Sequence, residues 1–375
     1  MIRGCVIRGR RFTARALTIA LAAASIGAMA SEARAQAPNG KGPVVVGTAS
    51  ALRGARAYGE LIVPAGVDPG TSIQVAVMHG ALPGPTVAFI SGAHGTEYAS
   101  VVALTRLIER INPQTLAGTV IVAPLLNVAS FEQMTVHTNP VDKKGMNAAY
   151  PGNAKGTQTE RALAMITEQI VSPADVIIDL HGGDLDEDLR PYSYWTRTGN
   201  ATQDSASRAL VMAFGIDHVI VRDIDVGAAA STRSLSGYAL SKGKSAIVAE
   251  AGRSGLVLQD DVEQLIKGSL RVLASMHMTS EKPSMMSRAT FIGSATSVKA
   301  DKPGMFFATV PRDTKVKAGQ LLGYTTDYVG RRTGQVTAPI EGLVGFIRGV
   351  PSAWAGATLA NVLPMLKDVP AYSRP

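Results

Sequence analysis

The chain has 375 residues, of which 46% are hydrophobic and 18% are charged, and this length and balance predict a globular protein and exclude a wholly disordered one. The formal net charge is +8, but without the six arginines and one glutamate of residues 1–35 the chain carries 31 basic and 28 acidic residues, a net charge of +3. Because no basic stripe is interleaved with aromatic residues, nucleic acid is excluded as a predicted partner.

Residues 1–35 have the pattern of a secretory signal peptide. An arginine-rich start leads into an uncharged stretch from Ala16 to Ser31, which is shorter than a membrane-spanning helix and so favours a cleavable signal over a membrane anchor. Ala33-Arg34-Ala35 matches the small-x-small cleavage pattern, so we expect cleavage after Ala35 and a periplasmic or secreted protein that does not contact the membrane. Arg10-Arg11 resembles part of a twin-arginine signal. The sole cysteine, Cys5, leaves with the signal, so any metal must use His and carboxylate ligands.

The mature chain begins with a linker-like segment, residues 36–45, followed by short alternating runs between Val46 and Met78 that predict strands and hairpins. Val87–Ile90 is then an apolar run typical of a buried strand. Helically spaced apolar residues follow from Val101 onward. The stretch between them therefore predicts a strand-to-helix connection, at the edge of a sheet where ligands bind in open α/β folds.

Two side chains suited to metal binding lie in that connection. His94 directly follows the small residues Ser91-Gly92-Ala93, and Glu97 comes three residues later. A His and a Glu that point from one turn into one cleft are two of the three protein ligands of a hydrolytic zinc site.

The third predicted ligand ends another buried-strand pattern. The segment VIIDLH finishes at His181 and is followed by two glycines, which repeats the arrangement of strand, histidine and glycine at His94. Two neighbouring parallel strands would bring both histidines to the same edge of the sheet. The set His94, Glu97 and His181 therefore predicts a site for one Zn²⁺ per chain, with the fourth position open to water.

The remaining segments predict the fold. The alternation of strands and helices up to about residue 278 predicts an α/β fold with a mostly parallel or mixed sheet flanked by helices, and the short strands beyond it predict a small all-β domain. We divide the chain into a signal peptide (1–35), a catalytic domain (36–283) and a C-terminal β domain (284–375). Strands are predicted at 118–131, 176–181, 218–223 and 245–250, helices at 156–171, 204–215 and 260–276, and loops at 132–153 and 182–196.

Five segments resemble, in order, the succinylglutamate desuccinylase/aspartoacylase family, relatives of the zinc carboxypeptidases: GPTVAFISGAHGTEYAS, NAAYPGN, GTQTERAL, IIDLHGGD and AIVAEAGRSG. The C-terminal segments are similar to the lipoyl-like domain that ends many members. The resemblance implies that His94, Glu97 and His181 bind zinc and that Glu250 is the general base. The residues also support Glu250, because it ends a third buried strand and a carboxylate in that cleft can take a proton from water and pass it to a leaving amine.

The chain departs from the family at two positions. Asn147 is kept as a substrate-binding residue, but the neighbouring arginine, which grips a substrate carboxylate in relatives, is Ala148 here. His137 falls where relatives carry an oxyanion-stabilising arginine, so it is either a substrate-binding group or a plain loop histidine.

These observations predict an exported zinc-dependent hydrolase that cleaves the amide bond of an N-acyl amino acid or a peptide-like substrate. The partner is therefore a small molecule or a short peptide. The alternatives are a metallocarboxypeptidase that processes peptides and a metal-binding protein with weak catalysis.

A carrier role for the β domain is disfavoured, because LLGYTTDYVGRRTGQV holds no lysine to modify. The acyl group, the amine and assembly into a homo-oligomer are left open. Further loop residues could line the pocket: Arg190, Tyr192, Tyr194, Trp195 and Tyr238.

Overall fold

The computed structural model describes residues 42–367, so the predicted signal peptide and its cleavage site lie outside the described residues. The α-helices of the described part are α1 (Tyr98–Arg110), α2 (Val128–Gln133), α3 (Gln158–Ile166), α4 (Ala201–Phe214), α5 (Leu235–Ser241) and α6 (Gln259–Ser275). Its strands are β1 (Val44–Val46), β2 (Ala49–Ala51), β3 (Ala55–Val63), β4 (Thr71–His79), β5 (Leu82–Ser91), β6 (Ala117–Ala123), β7 (Val176–His181), β8 (Glu187–Leu189), β9 (Tyr192–Arg197), β10 (His218–Asp223), β11 (Ser245–Glu250), β12 (Thr290–Ile292), β13 (Thr296–Lys299), β14 (Gly304–Ala308), β15 (Lys315–Val316), β16 (Leu321–Thr326), β17 (Arg332–Thr337), β18 (Gly342–Arg348), β19 (Ser352–Ala353) and β20 (Thr358–Leu363). None of these helices is both long and apolar enough to cross a bilayer.

A nine-stranded sheet forms the centre of the molecule, in the order β12-β10-β9-β11-β7-β5-β6-β4-β3. The central strands β11, β7, β5 and β6 are parallel, whereas β9 is antiparallel to β11 and β4 is antiparallel to β6. The predicted mixed α/β sheet is therefore confirmed. The carboxyl ends of β5, β7 and β11 meet at one edge of the sheet.

Helices cover both faces of this sheet. Helices α1, α4 and α6 pack on one face through fully buried side chains such as Leu104, Phe214 and Leu265. Helices α3 and α5 and the β1–β2 hairpin pack on the other. A capping box begins α3, because Thr157 donates its backbone N–H to Glu160 Oε2 at 2.9 Å.

The predicted loop at 182–196 is wrong, since this segment contains the strands β8 and β9. Strand β9 lies inside the main sheet between β10 and β11. Its sequence YSYWTR alternates with a period of two: Tyr192 and Tyr194 face one side and Trp195 is buried on the other. The acidic run before it concealed this pattern. The end of the predicted strand at 118–131 is also wrong, because residues 128–133 form α2.

The C-terminal region is all β, as predicted. Two small antiparallel sheets, β13-β20-β18-β15 and β17-β16-β14-β19, enclose a core of their own. Two strand pairings join this region to the rest of the molecule: β8, which precedes β9, pairs with β18, and β12 adds to the nine-stranded sheet beside β10. Strand β12 thus belongs to the larger sheet although it lies beyond residue 283, where we place the domain boundary. The division into domains stays a prediction.

Candidate metal centre and active site

The turn between β5 and α1 holds His94 and Glu97 in a fixed geometry. Gly92 has φ of +67°, a left-handed conformation that favours glycine, and so directs the chain out of β5. At Gly95 a Cβ atom would lie 2.3 Å from the backbone nitrogen of Phe131, so only glycine fits against the start of α2. Glu97 then caps α1, and its backbone oxygen accepts a hydrogen bond from the N–H of Ser100 at 3.2 Å.

His181 and Glu250 lie side by side at the ends of adjacent parallel strands. They are register partners across β7 and β11. Tyr192, at the start of β9, is the register partner of Glu250 on the opposite side. Register partners project from the same face of a sheet, so these three side chains form one row at its edge. The predicted convergence of the strand ends is present.

The three predicted ligands converge on one point. His94 Nδ1 lies 2.7 Å from Glu97 Oε1, and His181 Nδ1 lies 2.9 Å from Glu97 Oε2. One ligand atom from each residue can be chosen so that all three lie within 4.8 Å of one another. Two imidazole nitrogens and a carboxylate oxygen at this spacing form a donor set that can hold one divalent metal ion.

The charges in this cluster favour an ionised Glu97. Burial acts to raise the pKa of the Glu97 carboxyl, but the positive charges of His181 and His94 outweigh it and hold that pKa well below its usual range. Glu97 is 3% exposed. A buried carboxylate that stays ionised is ready to bind a cation.

Two further side chains lie beside the ring of His181. Its Nε2 atom lies 3.2 Å from Oδ1 of Asp179, which is almost fully buried on the same strand. A carboxylate on the far nitrogen of an imidazole directs the near nitrogen toward a metal. Asn147 Nδ2 lies 3.3 Å from the same Nε2, and Asn147 Oδ1 accepts a hydrogen bond from Leu235 N–H at 3.0 Å. Asn147 is thereby fixed at the rim of the metal centre.

Glu250 faces the same space, and within residues 42–367 no Lys or Arg forms an ion pair with it. Burial raises its pKa to about 8, against the opposing influence of His181 and of a hydrogen bond with Tyr192. Burial also raises the pKa of the Tyr192 hydroxyl well above its usual value, so this hydroxyl remains protonated. Glu250 is thus a carboxylate whose charge responds strongly to neighbouring cations, which suits a group that gains and loses a proton.

His137 lies beside the cluster on the loop before Asn147. Its ring centroid is 4.9 Å from that of His94, and its Nε2 lies 3.4 Å from Asp184 Oδ2 and 3.6 Å from Glu187 Oε1. Burial lowers its pKa, but the hydrogen bond and charge of Glu187 outweigh burial and raise the pKa to about 9. The neighbouring carboxylates therefore favour the protonated form of His137, which lies adjacent to the candidate metal site.

All six predicted site residues line one cavity of about 290 Å³. Its walls come from both parts of the molecule, because Phe346 and Asn361 of the C-terminal sheets also contribute. The volume is at the lower end of the range of small-molecule sites.

A sequence model described as the succinylglutamate desuccinylase/aspartoacylase catalytic domain matches residues 83–276, more than half of the chain. The chain belongs to this family. The match confirms the resemblance carried by the five motifs, and the family is one of metal-dependent enzymes.

Similar proteins include the N-alpha-acetyl-L-2,4-diaminobutyric acid deacetylase of Halomonas elongata, which is 25% identical over 304 residues that cover 76% of this chain and 84% of the relative. Two solved structures share the fold at a TM-score of 0.74. The succinylglutamate desuccinylase/aspartoacylase of Rhodobacter sphaeroides is 22% identical and covers 84% of this chain and 96% of its own. The product-bound ectoine utilization protein EutE (DoeB) of Ruegeria pomeroyi is 21% identical, with 82% and 95% covered.

The five further residues that we predicted could line the pocket separate into two groups. Tyr192 and Tyr194 line the cavity of this family member. Trp195 is instead 1% exposed in the core beneath the sheet, and Arg190 pairs with Asp217 at 3.0 Å. Tyr238 stacks on Tyr150 at 6.2 Å between ring centroids. These last three side chains have packing or structural roles.

Sequence reasoning missed several lining residues, among them Glu187, Arg222, Ser234 and Ser236. Only Arg222 carried a readable signal, as a charged residue near the end of the apolar strand HVIVRD. The others lie on loops or short elements whose position depends on packing between distant segments.

Proposed function

We propose that this family member is a zinc-dependent deacylase that hydrolyses the amide bond of a small N-acyl amino acid. The observation that carries the proposal is the register of Glu250 with His181, which sets a proton-accepting carboxylate beside a donor set of two histidines and one glutamate in one cavity. The family match and the deacetylase relative support cleavage of an amide.

The donor set fits zinc. His94, Glu97 and His181 supply the His₂Glu ligands that catalytic zinc sites use, with a fourth position left for water or substrate. When bound, the ion would supply Lewis acidity, which polarises the substrate carbonyl and lowers the pKa of the attacking water. The identity of the metal and its stoichiometry of one per chain are part of the proposal.

Glu250 is assigned to proton transfer. It accepts a proton from the attacking water and delivers it to the nitrogen of the leaving amine, so that the amide C–N bond breaks and a carboxylic acid and an amine form. A cation held by the neighbouring ligands would oppose the effect of burial on the pKa of Glu250, as His181 already does, and would keep the carboxylate ionised at neutral pH.

His137 and Asn147 are assigned to substrate binding. A protonated His137 beside His94 can donate a hydrogen bond to the oxygen that becomes negative in the transition state, in place of the arginine that relatives use. Asn147 can donate from an amide held in position by Leu235. The small cavity and its wall from the C-terminal sheets favour a small acyl compound over a long peptide.

Export is also proposed, on the pattern of residues 1–35 alone: a signal cleaved after Ala35 would place the enzyme in the periplasm or outside the cell.

Measuring zinc content and hydrolysis of the purified mature protein tests the proposal. The substrates are N-acetyl and N-succinyl amino acids, with dipeptides for comparison. Glu250→Gln should retain one zinc per chain and lose activity by a factor of about 10²–10⁴. Glu281→Gln, an exposed control, should keep full activity. Full hydrolysis by Glu250→Gln rejects its role, and zinc-loaded parent protein that cleaves none of the acyl compounds rejects the function.

A further inference from the structure

Arg222 introduces a positive charge into an acidic cavity. The lining carboxylates are Glu97, Glu187 and Glu250, whereas Arg222 is the only Lys or Arg among the described residues that line the cavity. Within residues 42–367, no Asp or Glu forms an ion pair with this guanidinium; its contacts are with hydroxyl groups and one aromatic ring. A guanidinium that faces a cavity without a carboxylate partner retains donors for a ligand.

The contacts of Arg222 hold the guanidinium in one orientation. Its Nε donates to Thr196 Oγ1 at 2.8 Å, and its Nη2 lies 3.5 Å from Ser236 Oγ. The planar group lies over the ring of Tyr194, with 4.9 Å between Cζ and the ring centroid. Since Thr196 occupies the Nε side, the edge formed by the two terminal nitrogens keeps donors in the paired geometry that matches a carboxylate.

The strand register places Arg222 on the same face of the sheet as the row formed by His181, Glu250 and Tyr192. Arg222 pairs with Thr196 across β10 and β9, and Tyr194 pairs with Val248 across β9 and β11. Tyr194 is two residues from Tyr192, the partner of Glu250. Two residues of strand span about 6.8 Å, so the guanidinium over Tyr194 lies about one side-chain row deeper than Glu250.

We propose that Arg222 binds a carboxylate of the substrate and so performs the task of the arginine that is replaced by Ala148. This inference rests on the proposed function, since it assigns the group that selects the substrate of that same site. The neighbouring Ser234 and Ser236, which also line the cavity, add hydroxyl donors beside the guanidinium. The positive charge of Arg222 would offset the repulsion between a substrate carboxylate and the nearby carboxylates of Glu187 and Glu250.

A binding comparison between acids and their neutral amides tests the proposal. The zinc-loaded Glu250→Gln protein, in which turnover is blocked, is titrated by NMR with N-acetylmethionine and its primary amide, which differ at the α-carboxylate. N-acetylglutamate and N-acetylglutamine, which differ at the side-chain carboxylate, form the second pair. The pair with the larger preference for the acid identifies which carboxylate Arg222 binds.

Adding Arg222→Gln should weaken binding of the preferred acid by about 10- to 100-fold and that of its amide by less than about 3-fold. Arg222→Lys should retain part of the preference, because it keeps the charge and loses the paired donors. Arg331→Gln, remote and 82% exposed, controls for loss of one positive charge and should change neither affinity.

In the active parent background, Arg222→Gln should raise KM for the acid more than it lowers kcat. Circular dichroism and thermal unfolding confirm that each variant is folded. The inference is overturned if folded Arg222→Gln protein still prefers the acid. It is also overturned if the parent shows no preference for either acid, or if none of the four compounds binds. Failure of the proposed function shows separately, as absence of hydrolysis by the zinc-loaded parent whatever the binding comparison gives.

Discussion

Asp179 is the side chain whose replacement tests most directly how the fold orients a metal ligand. It is 1% exposed, and its Oδ1 lies 3.2 Å from Nε2 of His181. Within residues 42–367 neither carboxylate oxygen has a well-aligned hydrogen bond, so its contact with His181 is an ion pair. Because Asp179 precedes His181 by two residues on β7, both side chains lie on the same face of the sheet.

Asp179→Asn keeps the size of the side chain and removes its charge. The carboxylate makes His181 a more basic ligand and fixes its ring with Nδ1 toward Glu97, so we expect the dissociation constant for zinc to rise about 10- to 100-fold. This corresponds to a loss of about 1.4–2.7 kcal/mol of binding free energy.

Competition between the protein and a chelating fluorophore measures that constant without reference to any substrate. Asp175→Asn is a matched control, because Asp175 lies exposed just before β7 and accepts a hydrogen bond from Thr86 N–H at the opposite end of the strand. The control should bind zinc like the parent. If folded Asp179→Asn binds zinc within about 3-fold of the parent, the carboxylate does not orient His181 and the reasoning is wrong.

Two further predictions concern the framework of the site. Gly95→Ala would place a Cβ 2.3 Å from Phe131 N, so chemical denaturation should show a loss of about 1–3 kcal/mol of unfolding free energy. Zinc binding should also weaken, because His94 would be displaced. Unchanged stability would contradict the close packing of this turn. Phe346→Ala removes a ring that is 3% exposed and lines the cavity from β18. The protein should therefore lose about 3–5 kcal/mol of unfolding free energy, and KM should rise. A wild-type KM in a folded variant would show that the C-terminal sheets do not shape the substrate site.

The residues at the strand ends were predictable because each follows a strongly apolar run. Val87–Ile90, the residues before His181 and those before Glu250 are buried in the sheet, and parallel pairing of such strands brings their ends together. His94, His181 and Glu250, which lie at or shortly after the ends of these runs, were therefore expected at a common edge of the sheet. Local pattern and the topology of parallel sheets together predicted where the three candidate metal ligands and Glu250 lie.

Other parts of the site depend on pairing between distant segments and could not be read locally. Strand β9 is short and amphipathic, and its place between β10 and β11 reverses the chain direction within the sheet. Strand β8 pairs with β18, which lies more than 150 residues further along the chain. This pairing brings Phe346 beside Leu189 in the cavity wall. The side-chain contacts of Arg222 with Thr196 and Tyr194 likewise follow from the register of β9 and β10.

Anomalous X-ray scattering at the zinc absorption edge, from crystals of the purified protein, tests the proposed metal site most directly. We expect one strong peak per chain, within bonding distance of Nδ1 of His94, a carboxylate oxygen of Glu97 and Nδ1 of His181. Zinc-supplemented crystals with no peak among these three side chains, or with zinc bound only elsewhere, would contradict the central claim that they form a catalytic metal site.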